Sequence, residues 1–514
     1  MYSIVSTAII RGINSLPVQV EADVSNGMPT FEMVGFLASE VKEARERVRT
    51  ALRSLGYAIP AKRITVNLSP ANIRKTGSAF DLPVAVAVLA ALGIVRKERL
   101  ASLLIVGEIG LSGRVQPIEG VLPIVADAGG HGFTHCMVPY GNAKEAALIQ
   151  DIQIIPVRDL NDVIAYLNDC QVPCSGIPES RDGFVNQKEA EGEAVDFSQI
   201  NGQLLVRRAS EVAAAGMHDL LMIGPPGAGK TMIARRIPTI LPPMCAQEQL
   251  ELAKIYSVSG MLIQEGCRVD ERPFRSPHHT VTPQGLIGGG AKPKPGEITL
   301  AHKGVLFLDE LAEFQKSTLE LLRQPMEEKE VHISRLAGSC DYPADFMLVA
   351  AMNPCPCGAY PDMNRCRCTQ SAIDRYLGKI SQPLLDRIDI CVQTSQLSYQ
   401  ELTAKTKNES SAEIRARISR AWNIQKERFA GSSIVFNSQI PAELLGEMCG
   451  MTEKEEEYLK QVYQKTYLTA RSYHKILRVS RTIADLSGSS QVRMEHLSEA
   501  VSYRSFDKKY WERW

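Results

Sequence analysis

The sequence has no excess of charge of either sign. Its 514 residues include 58 lysines and arginines and 58 aspartates and glutamates, so the formal net charge is zero. The field of the whole molecule therefore cannot attract DNA, RNA or an anionic membrane, and any polyanion must be bound by a local basic channel. Hydrophobic residues make up 44% and charged residues 23%, which is typical of a folded globular protein.

The sequence also lacks a long hydrophobic run. The longest nearly uncharged apolar stretch, Leu82 to Val95, contains a proline and a glycine. It is too short for a membrane span, which takes ~20 residues to cross a ~30 Å hydrocarbon layer. Residues 1–14 show no basic segment followed by an apolar stretch and a cleavage site. We therefore expect no membrane partner and a cytoplasmic location, where the twelve cysteines would be reduced.

Four regions follow one another along the chain. Residues 1–172 alternate β-rich runs with helical stretches such as Ser39 to Leu55, which indicates an α/β domain. Residues 173–200 are rich in charged and turn-forming residues, which predicts a linker. Residues 201–398 hold a second α/β unit, and the pattern of 399–514 is helical. At roughly 150 residues per domain, the length fits about three folded domains.

A phosphate-binding pattern lies in the second α/β unit. Its glycines let the backbone wrap closely around a polyphosphate with the N–H groups directed inward. The lysine would neutralise the β- and γ-phosphates, and the threonine hydroxyl would bind Mg²⁺, so we expect ATP and Mg²⁺ as cofactors. A glycine-rich turn without a ligand is the weaker alternative, because the pattern arises by chance in about one chain in fifty of this length. The pattern GxxxxGK[ST], preceded by the predicted strand Leu220 to Ile223, comprises Gly224, Pro225, Pro226, Gly227, Ala228, Gly229, Lys230 and Thr231.

Two further predicted strands end in polar residues. The apolar run Val305 to Leu308 precedes the carboxylates of Asp309 and Glu310, a costly pair unless a positive group is near. Asp309 would hold Mg²⁺, and Glu310 would polarise the attacking water. The run Met347 to Met352 ends at Asn353, which could orient water against the γ-phosphate, although asparagine before proline is also an ordinary turn signal.

Arginines further along the chain could act on the nucleotide. Arg387 could stabilise transition-state charge on ATP bound to a neighbouring subunit, but a plain salt bridge fits its context nearly as well. On the last helical segment Arg471 and Arg478 are seven residues apart and share a helix face. Together with Arg481, they could supply a cation from the lid.

Four cysteines form two C-x-C pairs in a loop rich in proline, glycine and asparagine. Four thiolates can close a tetrahedral Zn²⁺ site, and in a reducing compartment a metal is favoured over disulfides. The usual spacing within a pair is wider, so free or redox-active thiols are the alternative. The four residues are Cys355, Cys357, Cys366 and Cys368.

In this order the motifs resemble those of AAA+ ATPases of the magnesium-chelatase and MCM branch, and more narrowly those of the ComM (YifB) family. The resemblance covers nearly the whole chain and is also carried by residues 272–280, 288–297 and 477–486. The roles it implies are Walker A for Lys230 and Thr231, Walker B for Asp309 and Glu310, sensor 1 for Asn353, a finger acting on a neighbouring subunit for Arg387, and sensor 2 for Arg471, with Arg478 as its rival.

The same resemblance makes residues 283–298 look like the helix-2 insert and 332–346 like the pre-sensor hairpin. In related ring helicases these elements line the central pore. The glycine-rich tip of the insert carries Lys292 and Lys294, which could hold a phosphate backbone, and Arg335 could add a contact. The alternative is a solvated glycine hairpin with lysines for solubility.

The first domain resembles the proteolytic domain of Lon, a fold shared with domain 2 of ribosomal protein S5. The match puts Ala79 where Lon has its nucleophilic serine and Leu122 where it has its catalytic lysine. Neither side chain can attack a carbonyl or accept a proton, so we expect no protease activity. Ser78 is one position away, and in an extended segment its hydroxyl would face the opposite side.

The expected fold is α/β, with an S5-domain-2-like first domain, a central AAA+ P-loop domain and a C-terminal helical lid. The family implies a Mg²⁺-dependent ATPase that assembles as a homo-hexamer and moves on single-stranded and branched DNA. Its helicase or branch-migration activity would serve natural transformation, alongside other recombination proteins, and the cysteines would hold a structural Zn²⁺. The alternative is a magnesium-chelatase-type remodeller that acts on a protein or porphyrin partner without DNA.

Overall fold

The structure is a computed structural model. It describes residues 1–169, 195–263, 269–290, 293–335, 338–396, 398–399, 408–466, 468–504 and 510–511. Within these ranges no helix combines the length and the apolar character that a membrane crossing requires.

The N-terminal part is built on the strands β1 (Tyr2–Arg11), β2 (Asn14–Ser25), β3 (Thr30–Val34), β4 (Arg63–Ser69), β5 (Leu103–Ile105), β6 (Glu108–Ile109), β7 (Val115–Gln116), β8 (His135–Pro139) and β9 (Gln153–Val157). Seven of them form a mixed sheet in the order β3-β4-β2-β1-β5-β8-β9. The pairs β1-β2 and β2-β4 are antiparallel, and the other neighbours are parallel. The strands β6 and β7 form a separate hairpin.

Helices pack against this sheet through apolar residues that recur at helical spacing. In helix Ser39–Ser54 the buried residues are Val41, Ala44, Val48, Ala51 and Leu52, which form one stripe. Helix Asp81–Ala91 is buried on every side, as expected for an apolar helix inside a domain. The helices of this part are Ser39–Ser54, Asp81–Ala91, Val121–Ala128, Ala143–Ala146 and Leu160–Asp169.

The central part contains β10 (Leu220–Ile223), β11 (Phe274–Arg275), β12 (Gly288–Gly289), β13 (Lys294–Pro295), β14 (Val305–Leu308), β15 (Glu330–Arg335), β16 (Gly338–Pro343), β17 (Met347–Met352) and β18 (Ile390–Gln393). Five of these strands form a parallel sheet in the order β11-β14-β17-β10-β18. The strands β10, β14 and β17 are buried along their whole length, which is why they read as continuous apolar runs. Their carboxyl ends meet at one edge of the sheet.

Helices surround this sheet and continue into a helical C-terminal region. The central helices are Leu204–Gly216, Lys230–Ala234, Ile237–Ile240, Ala246–Val258, Pro283–Ile287, Glu297–Leu300, Lys316–Glu320, Arg323–Glu328, Gln370–Leu377 and Gln382–Leu385. The C-terminal helices are Ser411–Arg428, Leu445–Cys449, Glu453–Thr466, Ala470–Leu486 and Met494–Ser502. One apolar core joins the C-terminal helices to the sheet, for example Ile418 and Ile483 to Val349. The predicted combination of α/β units with a helical C-terminal region is confirmed.

The end of the predicted linker packs against the central part. Residues 170–194 lie outside the described ranges, but Phe197 is fully buried in the core that contains the parallel sheet. Its backbone N–H donates to the hydroxyl of Ser411 at 2.9 Å, and Asp196 accepts from the backbone N–H of Ser198 at 2.7 Å. No sequence pattern signalled this contact, because Phe197 lies among charged residues. Its burial shows that the folded central part begins before residue 200.

The N-terminal and central parts share an interface. Leu122 is fully buried among apolar residues of the central part, including Leu252. The backbone N–H of Gly120 donates to the carbonyl of Ser257 at 3.0 Å. The apolar cluster and the backbone hydrogen bond fix the first helix turn after Gly120 against helix Ala246–Val258.

Candidate nucleotide site

The predicted phosphate loop follows β10 and turns sharply. The N–H of Gly224 donates to the carbonyl of Met352 at 3.1 Å, which anchors the start of the loop to β17. Gly227 and Gly229 have φ angles of 77° and 82°, a left-handed conformation that strains residues with a side chain. A Cβ atom on Gly224 would collide with the side chain of Thr394. The glycines are therefore required by the backbone path as well as by the expected ligand.

The Lys230 ammonium is folded across the loop. Its Nζ donates to the carbonyls of Gly224 and Pro225 at 2.7 and 2.9 Å and to Oδ1 of Asn353 at 3.1 Å. The residue is only 8% exposed. Burial lowers the pKa of Lys230 to about 8, although two nearby carboxylates act in the opposite direction. The structure thus brings together the lysine of the loop and the asparagine that ends β17.

Thr231 and Asp309 are also brought together. The Thr231 hydroxyl donates to Oδ2 of Asp309 at 2.7 Å, while Oδ1 of Asp309 accepts from the backbone N–H of Glu310 at 3.0 Å. Hydroxyl and carboxylate oxygens are ligands that Mg²⁺ prefers. Glu310 has a φ of 52°, and its side chain is 57% exposed.

A histidine lies beside Glu310. Nδ1 of His279 is 3.6 Å from Oε2 of Glu310. The His279 ring packs on that of His278, with centroids 4.0 Å apart, and its edge meets Phe314. The pattern around the carboxylates gave no signal for this neighbour, because His279 reaches Glu310 from a separate segment.

These residues fit Mg²⁺·ATP. The loop offers a lysine and glycines in the conformation that lets backbone N–H groups face a polyphosphate, and the Thr231–Asp309 pair offers hard oxygen ligands. When bound, the metal would supply charge neutralisation for the phosphates. The Lys230 ammonium now bonds loop carbonyls, and a phosphate would compete for the same donors.

Arg387 forms an ion pair within its own chain. Its Nη2 lies 2.7 Å from Oε1 of Glu327, and Nη1 donates to the carbonyl of Pro383 at 2.7 Å. The same Glu327 oxygen is 3.9 Å from Nη2 of Arg471, whose side chain is 59% exposed. The salt bridge that the sequence left open is therefore present, and it places the predicted finger beside the predicted sensor 2.

The two other lid arginines are held inside the lid. Arg478 donates from Nε to the carbonyl of Ile440 at 2.8 Å, and burial lowers its pKa. Arg481 is fully buried against Asp485 at 2.9 Å. Of the three lid cations considered from the sequence, Arg471 is the one that lies beside Arg387, so these contacts disfavour Arg478 as sensor 2.

The four predicted zinc ligands form one cluster. All four sulfur atoms lie within 4.8 Å of one another. Cys355 is 3.4 Å from Cys357 and 3.8 Å from Cys366, close to the ~3.8 Å that Zn–S bonds of ~2.3 Å give in a tetrahedron. Hydrogen bonds from the backbone N–H groups of Ala359 and Arg367 lower the pKa of Cys357 to about 6. The donor set, which includes Cys368, therefore fits Zn²⁺.

The cysteine loop touches the phosphate loop. Gly358 has a φ of 77°, and a Cβ atom on it would collide with the ring of Pro226. Cys355, fully buried, accepts a hydrogen bond from the backbone N–H of Tyr360 at 3.4 Å. The loop that carries the cluster is thus in contact with the predicted phosphate loop.

The two predicted pore elements are antiparallel hairpins that contact each other. β12 pairs with β13, and β15 pairs with β16. The Tyr342 hydroxyl donates to the carbonyl of Pro293 at 2.9 Å, which ties the hairpins together. Lys294 lies 2.8 Å from Glu119 of the N-terminal part. Lys292 lies outside the described residues, and Arg335 is placed only by its backbone at the end of β15.

A cavity of the N-terminal part opens beside these hairpins. A cavity of about 590 Å³ is lined by residues of the Lon-like region, including Ser78 and Ala79, and by residues of the hairpins. Ser78 lies in a turn rather than in an extended segment, so its hydroxyl faces the cavity and donates to Glu108. The expectation that Ser78 would face away is wrong for this reason. Leu122 is buried in the interface described above.

Comparisons with known proteins cover each part of the chain. Residues 196–402 match the family model described as magnesium chelatase, subunit ChlI, residues 20–142 match subunit ChlI of Mg-chelatase, and residues 408–504 match magnesium chelatase, subunit ChlI C-terminal.

Full-length relatives were also found. The competence protein ComM of Haemophilus influenzae is 39% identical over 510 residues, which cover 98% of this chain and 97% of that protein. The uncharacterized protein YifB of Escherichia coli is 39% identical over 513 residues, with the same coverage. Lon protease 2 of Bacillus subtilis is 28% identical over 207 residues, which cover 34% of this chain and 35% of the protease. The chain therefore belongs to the ComM (YifB) family of magnesium-chelatase-like AAA+ proteins.

Proposed function

We propose that this protein is a Mg²⁺-dependent ATPase whose phosphate loop is Gly224 to Thr231. Lys230 neutralises the β- and γ-phosphates, Thr231 and Asp309 hold Mg²⁺, and Glu310 polarises the attacking water. The observation that carries this proposal is the 2.7 Å hydrogen bond between Thr231 and Asp309, which joins two sequence motifs at one sheet edge. Asn353, 3.1 Å from the Lys230 ammonium, is placed to orient water near the γ-phosphate.

Hydrolysis is completed by a neighbouring copy in a homo-hexamer. Within one chain, Arg387 is paired with Glu327, whereas Lys230 donates to carbonyls of the phosphate loop. Arg387 and Lys230 therefore do not contact each other. An arginine supplied by an adjacent subunit would stabilise the transition-state charge. A head-to-tail interface repeated around a closed ring gives every nucleotide such a partner.

The motor acts on DNA in recombination, as the name of the competence relative suggests. Support comes from the paired hairpins, which place Lys294 next to a glycine-rich tip on the face that contacts the Lon-like region. A cation at the tip of a short hairpin can hold a phosphate backbone without reading its bases. We assign branch migration or helicase activity on single-stranded and branched DNA to these elements.

The cysteine cluster holds a structural Zn²⁺, and the Lon-like region is not a protease. Closely spaced sulfur atoms support the metal site. Ala79 and Leu122 offer neither a nucleophile nor a base. The Ser78 hydroxyl donates a hydrogen bond to the carboxylate of Glu108 rather than to a lysine.

The test is ATP turnover by the full chain without DNA and with single-stranded, duplex and forked DNA. Glu310→Gln serves as the matched control, because it keeps the size of the side chain and removes the carboxylate that polarises water. We expect at least one DNA to raise turnover by the wild-type protein and none to raise turnover by the variant. Turnover that no DNA changes would favour the magnesium-chelatase-type remodeller.

A further inference from the structure

Two arginines lie side by side although they come from distant segments. Oε1 of Glu327 is 2.7 Å from Arg387 and 3.9 Å from Arg471. Arg387 lies in the loop before β18, whereas Arg471 lies in the first turn of helix Ala470–Leu486. Because no local chain geometry links the two, their alignment depends on contacts between the loop and the helix.

Arg504 makes such a contact at the adjoining residues. Its Nη1 donates to the carbonyl of Ile388 at 2.6 Å, and its Nη2 donates to the hydroxyl of Ser472 at 3.1 Å. Ile388 follows Arg387, and Ser472 follows Arg471. A single buried guanidinium, 6% exposed, therefore joins the two segments one residue away from the paired arginines.

A buried ion pair forms a second link between the same segments. Lys475 lies 2.9 Å from Asp389, and both side chains are nearly inaccessible to solvent. Asp389 is two residues after Arg387, and Lys475 is one helical turn after Arg471, on the same face. The other Asp389 oxygen is 3.0 Å from Nδ1 of His218. The loop and the helix are thus held together by two separate contacts, the Arg504 hydrogen bonds and the Lys475–Asp389 ion pair.

We propose that Arg504 is a positioning residue that holds Arg387 and Arg471 as one pair for the terminal phosphate of ATP bound to a neighbouring copy. A planar guanidinium can donate to two acceptors in fixed directions, which a lysine ammonium cannot do as rigidly. Two cations aimed at one phosphate act strongly only when their spacing is fixed before the nucleotide arrives. The inference rests on the proposed function, since a nucleotide meets this pair only in an assembly.

The first measurement is steady-state ATP hydrolysis by Arg504→Lys and Arg504→Met in the full chain. We expect kcat to fall about 10- to 100-fold because the arginine pair is displaced. The KM for ATP should stay within about twofold, because the loop that binds the nucleotide is unchanged. Arg428→Lys is the matched control: Arg428 is a lid arginine bound to Asn437 and Asp485, away from the pair, so its kcat should stay near wild type.

Mixing two impaired variants separates positioning from a structural role. The Glu310→Gln chain cannot hydrolyse its own ATP but carries an intact arginine pair, whereas the Arg504→Met chain keeps its own Glu310. In a random equal mixture about one site in four joins a working Glu310 to an intact neighbouring pair. We expect turnover to recover to about a quarter of wild type per chain, by the same mixing argument.

The same mixture made with Arg387→Ala tests the proposed function itself. Recovery with both Arg387→Ala and Arg504→Met supports the positioning role. Recovery with Arg387→Ala alone would overturn it and leave hydrolysis at the interface intact. Recovery with neither variant would contradict the proposal that a neighbouring copy completes hydrolysis, and with it the inference about Arg504. If Arg504→Met does not fold, Arg504→Lys takes its place, and a wild-type kcat for Arg504→Lys would also overturn the proposal.

Discussion

Gly358 of the cysteine loop packs so closely against Pro226 of the phosphate loop that a methyl group would not fit between them. We therefore expect Gly358→Ala to displace the phosphate loop and to weaken ATP binding about tenfold, the cost of a small misplacement at a binding site. The measurement is the Kd of a fluorescent ATP analogue.

Gly431→Ala is the control for this substitution. Gly431 has a φ of 81°, close to the 77° of Gly358, but no atom lies within 4 Å of the Cβ position. Both variants should lose about 1 kcal/mol of stability from backbone strain. Equal ATP affinity in the two variants would show that the contact with Pro226 does not matter.

ATP binding should depend on the protonation of Lys230. Because burial lowers its pKa to about 8 in the free protein, the ammonium is charged below pH 8 and loses its proton as the pH rises above it. The phosphates prefer the charged form, so the Kd for ATP should be flat below pH 8 and rise about tenfold per pH unit above it. Lys230→Arg, which stays charged, should show no such rise in titrations from pH 7 to about 9.5. A wild-type Kd that does not change over this range would contradict the assignment.

Lys294→Ala should weaken DNA binding by a similar factor for every DNA sequence, because the contact is to phosphate. Losing one phosphate contact reduces the slope of log K against log salt by about one. Fluorescence anisotropy with single-stranded DNA at several salt concentrations measures this slope. Lys379→Ala is a suitable control, because Lys379 is also half-exposed and ion-paired, with Glu313 at 3.3 Å. Equal slopes of log K against log salt for the two variants would show that Lys294 does not contact the DNA phosphates.

The cysteine cluster should hold about one zinc ion per chain. Elemental analysis of purified protein measures this directly, and Cys355→Ser should lose the metal because serine oxygen is a poor substitute for a thiolate ligand. Cys245→Ser, a change at an exposed cysteine outside the cluster, should retain it. Metal-free protein with full ATP turnover would contradict the structural zinc.

Much of the fold could be predicted because buried parallel strands leave a clear pattern. The runs Leu220 to Ile223 and Met347 to Met352 coincide with β10 and β17, since apolar residues fill both faces and polar residues follow at once. Helix Ala470–Leu486 likewise lies in the region 399–514 that the sequence predicted to be helical, because its apolar stripe is strong. Local pattern and local structure agree in these elements.

The contacts that surround the arginines could not be predicted in this way. Glu327 and Arg504 occur in segments without a motif, and they meet Arg387 and Arg471 only through tertiary packing. Ser78 was placed on the wrong side because its segment turns instead of extending. A motif identifies chemistry, but its partners across the fold depend on long-range geometry that a single sequence does not display.

The central claim is that ATP hydrolysis moves this protein along DNA. The most direct test is release of a labelled strand from a forked duplex by the full chain with Mg²⁺ and ATP. We predict strand release by the wild-type protein and none by Glu310→Gln, which should still bind ATP and the fork. No release by the wild-type protein, or equal release by both chains, would contradict the account.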